Sequence, residues 1–335
     1  MTTSRLGWAD VARGGAMMLV VLAHTLQLME VGGWDLGWLD TLNIFLTAIR
    51  MPLFFLISGV FAANAIRRTW GGIWRSRLAL LIYIYFLWSL IRALWFTVVP
   101  WPLGDTHPWV ALAISPVWPT NGLWFLIALV LYIVIGRLTA RWPLWIPLVL
   151  SGAVSVLAAY DLVPTGGNGV WRSIGLYLFF FVLGARLPEV WKMIAARSTA
   201  LLLIPAIVVI PLGFFLFTRL PDAAEGIARV LLSMVCVAAC LVIAAMIAKV
   251  RWLAAPFLAV GTRTLPIYVT HAILLAVLVP LVPVGSVPAV VVAVAMTAVA
   301  ILVALGLFFL LGPVGGVYNL PQPIARRLAR QADAT

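Results

Sequence analysis

Residues 11–30 read VARGGAMMLVVLAHTLQLME, and this stretch decides the fold. From Gly14 to Ala23 every residue is small or apolar. Twenty helical residues span about 30 Å, the thickness of a bilayer's hydrocarbon core. Nine more runs of this kind follow, at about 42–65, 78–98, 122–136, 144–160, 172–187, 199–218, 227–248, 264–283 and 287–311. They predict an all-α, polytopic integral membrane protein with about ten transmembrane helices. The fourth, fifth and sixth runs are short, which leaves room for a merged or re-entrant segment.

The composition agrees. Of 335 residues, 64% are hydrophobic and only 10% charged, with a mean hydropathy of +1.14. A soluble domain carries about 25% charge, so this chain has too little to coat an apolar core. Disorder is excluded for the same reason. The net charge of +12 does not suggest nucleic-acid binding, because the basic residues sit in short clusters between apolar runs. Cys236 and Cys240 lie inside one such run at helical spacing and read as packing residues. The first run ends in no small-residue cleavage site and reads as a spanning helix, not a signal peptide.

Charge in the connections sets the orientation. With the N-terminus inside, the inner connections hold Arg67, Arg68, Arg75 and Arg77, then Arg137 and Arg141, Lys192 and Arg197, and Lys249 and Arg251. A tail follows with Arg326, Arg327 and Arg330. The outer connections hold Asp35, Asp40 and Asp105, with Arg219 as the main exception. The positive-inside rule therefore predicts that both termini are cytoplasmic. Residues 1–311 read as one transmembrane domain and 312–335 as a short basic tail. Trp34, Trp38, Trp101, Trp109 and Trp118 fall in outer connections, as an aromatic belt or as a platform for stacking a sugar.

Polar groups inside apolar runs are expensive, so each marks a candidate site. Arg13 and His24 are eleven residues apart in the first run. Eleven helical steps return to within about 20° of the same face and cover about 16 Å. The two share a stripe, with the arginine near the cytoplasm and the histidine deep toward the other side. Arg50 and Arg92 lie in the second and third runs. They read either as partners of Glu30, Asp35 or Asp40, or as stabilisers of charge on a reacting group. Arg67, Arg68, Arg75 and Arg77 flank Gly71 and Gly72. This suits positive-inside topology, anionic lipid, or an anion with several phosphates. Tyr268 and His271 are three residues apart and share a helix face, as a structural pair or as substrate contacts. Three scattered histidines make a poor metal site.

These residues resemble a known family. Arg13 and His24 with ten residues between them look like the first-helix motif of the membrane acyltransferase-3 family. Met51-Pro52-Leu53-Phe54-Phe55-Leu56-Ile57-Ser58-Gly59 resembles its second-helix signature, and Arg67 to Arg77 fall where the family has a cytoplasmic basic motif. Leu123-Trp124-Phe125-Leu126 and Pro266-Ile267-Tyr268-Val269-Thr270-His271 resemble its later landmarks. The order is kept across most of the chain. The branch of fucose 4-O-acetylases and polysaccharide O-acetyltransferases is the most similar.

The resemblance implies about ten helices in a bacterial-type plasma membrane. It implies transfer of an acyl group, usually acetyl from acetyl-CoA at the cytoplasmic face, to a hydroxyl of an envelope glycan or glycolipid. His24 would be the catalytic residue, with Arg13 and Arg50 beside it in the catalytic set. Arg67, Arg68, Arg75 and Arg77 would hold the CoA phosphates. Arg92, Trp124, Tyr268 and His271 would face the substrate. Acyl-CoA would be a donor substrate, with no tightly bound cofactor, no metal and no nucleic-acid partner. The alternative is a non-enzymatic transporter or flippase of an envelope lipid or saccharide. It lacks support from any inverted repeat, and it predicts indifference to CoA.

Overall fold

The computed structural model describes residues 7–333 apart from 101, 102, 104, 105, 121, 220 and 221, and gives the backbone alone for 222–225 and 330–333. Trp101, Asp105 and the side chain of Arg330 lie outside the described residues. Among the described residues there are helices and no strand.

In chain order the helices are α1 (Gly7–Val31), α2 (Trp38–Ile66), α3 (Trp70–Val98), α4 (Pro108–Ile114), α5 (Trp124–Leu138) and α6 (Trp145–Ala159). Then come α7 (Gly169–Arg186), α8 (Pro188–Ala196), α9 (Ala200–Phe217), α10 (Asp222–Ile247) and α11 (Arg251–Gly261). The last three are α12 (Thr264–Leu281), α13 (Ala289–Leu311) and α14 (Gln322–Asp333).

Each of the ten apolar runs falls on a helix. Among the described residues, seven helices are long and apolar enough to cross a bilayer, namely α1, α2, α3, α9, α10, α12 and α13. The pair α7 and α8 makes an eighth if taken together, although it bends by 76°. Pro188 opens α8 and cannot continue the hydrogen bonding of α7 past Leu187. The other two runs became α5 and α6, of 15 residues each, about 22 Å by helical rise and short of a full crossing. The apolar surface matches a lipid solvent. Leu201 and Ile204 on α9, and Leu302 and Leu310 on α13, stand exposed. Trp38, Trp109 and Trp118 are exposed too, as belt residues are, whereas Trp34 is buried.

The chain forms two compact units. The first comprises Met1–Ala23, Gly37–Ala63 and Trp142–Thr264. Small residues let its helices approach closely, which is how helices associate where no hydrophobic drive exists. A Cβ on Gly59 would collide with the carbonyl oxygen of Phe181, and one on Gly184 with that of Leu56, so α2 and α7 touch backbone to backbone. Gly14 against Phe257, and Gly261 against Asp10, do the same for α1 and α11. Phe45, Ile49 and Cys236 form a buried cluster with Phe214, Phe217 and Leu232 from α9 and α10. The cysteines are packing residues here, as their spacing suggested. Gly184→Ala is expected to destabilise the protein by about 1–3 kcal/mol through overpacking. Thermal unfolding in detergent checks this against Gly306→Ala, where a Cβ meets nothing within 4 Å.

The second unit comprises His24–Leu36, Asn64–Arg141 and Leu265–Thr335. Gly316, Val317 and Tyr318, early in the stretch after α13, are held against α3. Tyr83 Oη donates to the Gly316 carbonyl at 2.8 Å, and Trp88 Nε1 to the Val317 carbonyl at 2.9 Å. Tyr318 stacks on Trp88 with ring centroids 5.6 Å apart. These contacts strap the chain after α13 onto α3. Burial pushes the Tyr318 phenol above its usual pKa.

Candidate active site

The basic segment differs from the loop that the sequence suggests. Arg67 and Arg68 lie in the turn after α2, but Arg75 and Arg77 are inside α3. The cause is local. The Thr69 hydroxyl accepts from the Gly72 N–H at 3.2 Å and caps the helix there. Residues Trp74–Leu78 then form a π-helical turn that leads into the regular helix. The Gly71 Cα carries no side chain, and the Arg75 guanidinium lies over it, 3.6 Å from where a Cβ would stand. Arg68 and Arg77 are close enough for their charges to act on each other. Arg137, at the end of α5, lies 5.8 Å from the ring centroid of Trp70. The sequence reading placed Arg137 only as a topology marker; nothing in its spacing points to Trp70.

Arg77 and Arg92 lie on one continuous helix, and fifteen residues separate them by about 22 Å. Arg92 is buried and stacks over Phe96 with Cζ 5.0 Å from the ring centroid. Its Nη2 packs against Gly122, which holds a positive φ of +74°. The absence of a Cβ matters here, because one would stand 3.0 Å from that nitrogen. Gly122 is a residue the sequence reading passed over, although its Asn-Gly dipeptide is a turn signal.

Tyr268 reaches the same turn from α12. Its hydroxyl donates to the Gly122 carbonyl at 3.1 Å and accepts from the Phe125 N–H at 3.2 Å. The phenol thus clamps the start of α5, where Trp124 is half-buried as the first helical residue. Tyr268→Phe leaves the buried Phe125 N–H and the half-buried Gly122 C=O without that partner. It should cost about 1–3 kcal/mol, read as a lower unfolding midpoint in detergent.

One helical turn on, His271 is buried at 2% exposure. Its Nδ1 is 3.0 Å from the Ile267 carbonyl oxygen. A carbonyl only accepts, so Nδ1 carries the proton and Nε2 bears the lone pair in the neutral ring. The half-buried His24 meets it edge to face, with centroids 4.9 Å apart and planes at 70°. Arg92 is near enough for its charge to act on both Tyr268 and His271. Beside the pair, Thr25 and Thr297 share a hydrogen bond of 3.1 Å between α1 and α13. His24, Arg92, Tyr268 and His271, drawn from three helices distant in sequence, therefore meet in one buried polar centre. No group of three or more His, Cys, Asp or Glu among the described residues is placed to hold a metal.

Arg13 and Arg50 belong to the first unit. Arg13 Nη2 donates to the Thr264 hydroxyl at 2.6 Å, and its Cζ lies 5.3 Å from the Phe61 ring centroid. It therefore holds Thr264, the last residue of the first unit. Arg50 is buried and spends its guanidinium on its own helix. Nη1 donates to Asn43 Oδ1 at 2.8 Å and Nη2 to Thr47 Oγ1 at 2.7 Å. Those acceptors, and not Glu30, Asp35 or Asp40, are its hydrogen-bond partners.

The acyltransferase-3 family profile, described as an acyltransferase domain, matches residues 6–309. No curated protein and no solved structure matches the chain. A match over nearly the whole sequence, in a chain whose described helices include seven long and apolar enough to cross a bilayer, makes the chain a member of the acyltransferase-3 family of membrane acyltransferases.

Proposed function

We propose that the protein is an O-acyltransferase of a bacterial-type plasma membrane. It takes an acyl group, acetyl in our reading, from acyl-CoA on the cytoplasmic side and passes it to a hydroxyl of an envelope glycan or glycolipid. The observation that carries this reading is the pairing of half-buried His24 with buried His271 beside Arg92, in a helical unit that also holds Arg67, Arg68, Arg75 and Arg77 around the start of α3.

The chemistry follows from the residue types. Arg67, Arg68, Arg75 and Arg77, with Arg137 nearby, suit the phosphates of CoA, since guanidinium forks match phosphate oxygens. A long pantetheine arm separates those phosphates from the thioester. Helix α3 likewise separates Arg77 from Arg92 by about 22 Å. His24 is the reacting imidazole, and we assign Arg92 to the oxyanion that forms on the thioester carbonyl. Arg13 holds the Thr264 hydroxyl and has a structural part in this reading.

Purified protein in lipid vesicles tests this reading with acetyl-CoA and an envelope glycolipid fraction. The expected result is saturable acetyl-CoA binding, release of free CoA, and an acetyl mass increment on the acceptor. A transporter or flippase moves its cargo with no response to acetyl-CoA, and that outcome overturns the reading.

A further inference from the structure

We infer that His271 is a second catalytic base, which takes the acceptor's proton while His24 carries the acyl group; this deepens the proposed function and rests on it. Three observations lead here. First, His271 Nε2 is buried with no hydrogen-bond partner among the described residues. A buried basic nitrogen left unpaired costs free energy, so it marks a place where a polar group of a substrate fits. Second, its tautomer is fixed. The Ile267 carbonyl holds the proton on Nδ1, and the lone pair is confined to Nε2. Third, the neighbouring helices offer no carboxylate for the task. Helices α3, α5, α12 and α13 contain no Asp or Glu, and α1 has them only near its ends, at Asp10 and Glu30. His24 meets an imidazole at 4.9 Å where many enzymes place an acid.

A single imidazole cannot hold an acyl group and accept a proton on the same nitrogen. Two imidazoles divide the work. In the donor half, the His24 lone pair attacks the thioester carbonyl carbon, a C–N bond forms and the C–S bond breaks. The thiolate leaves with the bonding pair and takes the remaining ring proton, giving acyl-His24 and free CoA. In the acceptor half, His271 Nε2 removes the hydroxyl proton as the oxygen attacks the acyl carbon. The C–O bond forms, the C–N bond breaks, and the electron pair returns to His24. The proton on His271 then passes to His24 across the ring contact, and both rings are restored.

The test separates the two halves by nucleophile. Hydroxylamine attacks as a neutral amine and needs no base to start, whereas a sugar hydroxyl does. In vesicles with acetyl-CoA, His271→Ala should form acetyl-hydroxamate within about threefold of wild type. Transfer to the glycolipid acceptor should fall by about 10²-fold or more, the usual contribution of a general base. His271→Asn keeps a donor for the Ile267 carbonyl without a basic nitrogen, and should show the same split. It thereby controls for misfolding. Equal loss of both reactions in both variants, or no loss of either, overturns the inference. A wild-type protein that acetylates the glycolipid but makes no hydroxamate also overturns the inference, whereas one that does neither overturns the proposed function itself.

Discussion

His24→Ala is expected to abolish acyl transfer while leaving donor binding in place. The substitution removes the only imidazole that α1 brings to the buried centre. Loss of a group that acts as nucleophile or acid–base should lower turnover by about 10³-fold or more. The affinity for acetyl-CoA should change little, because the arginines that suit its phosphates lie elsewhere on the chain. Mass spectrometry of envelope glycans from cells carrying wild type or His24→Ala reads the outcome directly, as an acetyl mark present in one and missing in the other. Equilibrium binding of acetyl-CoA to the purified variant gives the second half of the prediction. An unchanged glycan profile from a folded variant removes His24 from the chemistry. The effect should also exceed that of His271→Ala on hydroxylamine, since the donor half needs His24 and not its neighbour.

The second large effect concerns the N-terminal end of α3. Arg67 and Arg68 are exposed. Each should then contribute about 1 kcal/mol to phosphate binding, less than a desolvated pair would. Replacing both with alanine should weaken acetyl-CoA binding by about 10- to 100-fold. Added loss of Arg75 and Arg77 should deepen the defect and flatten its dependence on salt. The kinetic signature is a raised KM with kcat largely kept, because these contacts are the same in ground and transition states. Arg326→Ala with Arg327→Ala, on α14, is the charge-matched control and should leave KM where it was. Equal KM in the α3 variant and the control would show that the cluster serves topology alone.

Much of this architecture was legible in the sequence because the membrane simplifies the physics. Backbone groups in hydrocarbon must be satisfied internally, so each long apolar run had to be a helix. All ten runs became helices for this reason. Length was harder to read. The runs at 122–136 and 144–160 look like spans on composition, yet α5 and α6 stop at 15 residues where Leu123, Thr139 and Pro143 end the pattern. The pairing of His24 with His271 had no sequence signal at all, since 247 residues separate them and only tertiary packing brings α12 beside α1. Tyr268 and His271 were visible as neighbours on one face, but not that the phenol would be committed to Gly122 and Phe125. Arg50 looked like Arg92 from sequence. Its real difference is Asn43 and Thr47, seven and three residues earlier, which absorb its hydrogen bonds.

The π-helical turn at Trp74–Leu78 has an evolutionary reading. Such a turn amounts to one residue inserted into a regular helix, and it is locally less stable than the helix it interrupts. Deleting a single residue there would restore ordinary winding and add stability. It would also close the wide turn that Arg75 and Arg77 themselves occupy, changing the directions in which those two side chains leave the helix. A thermostability screen blind to activity would select that deletion. Selection for turnover would reject it, which gives a reason for an unfavourable winding to persist in an otherwise well-wound helix.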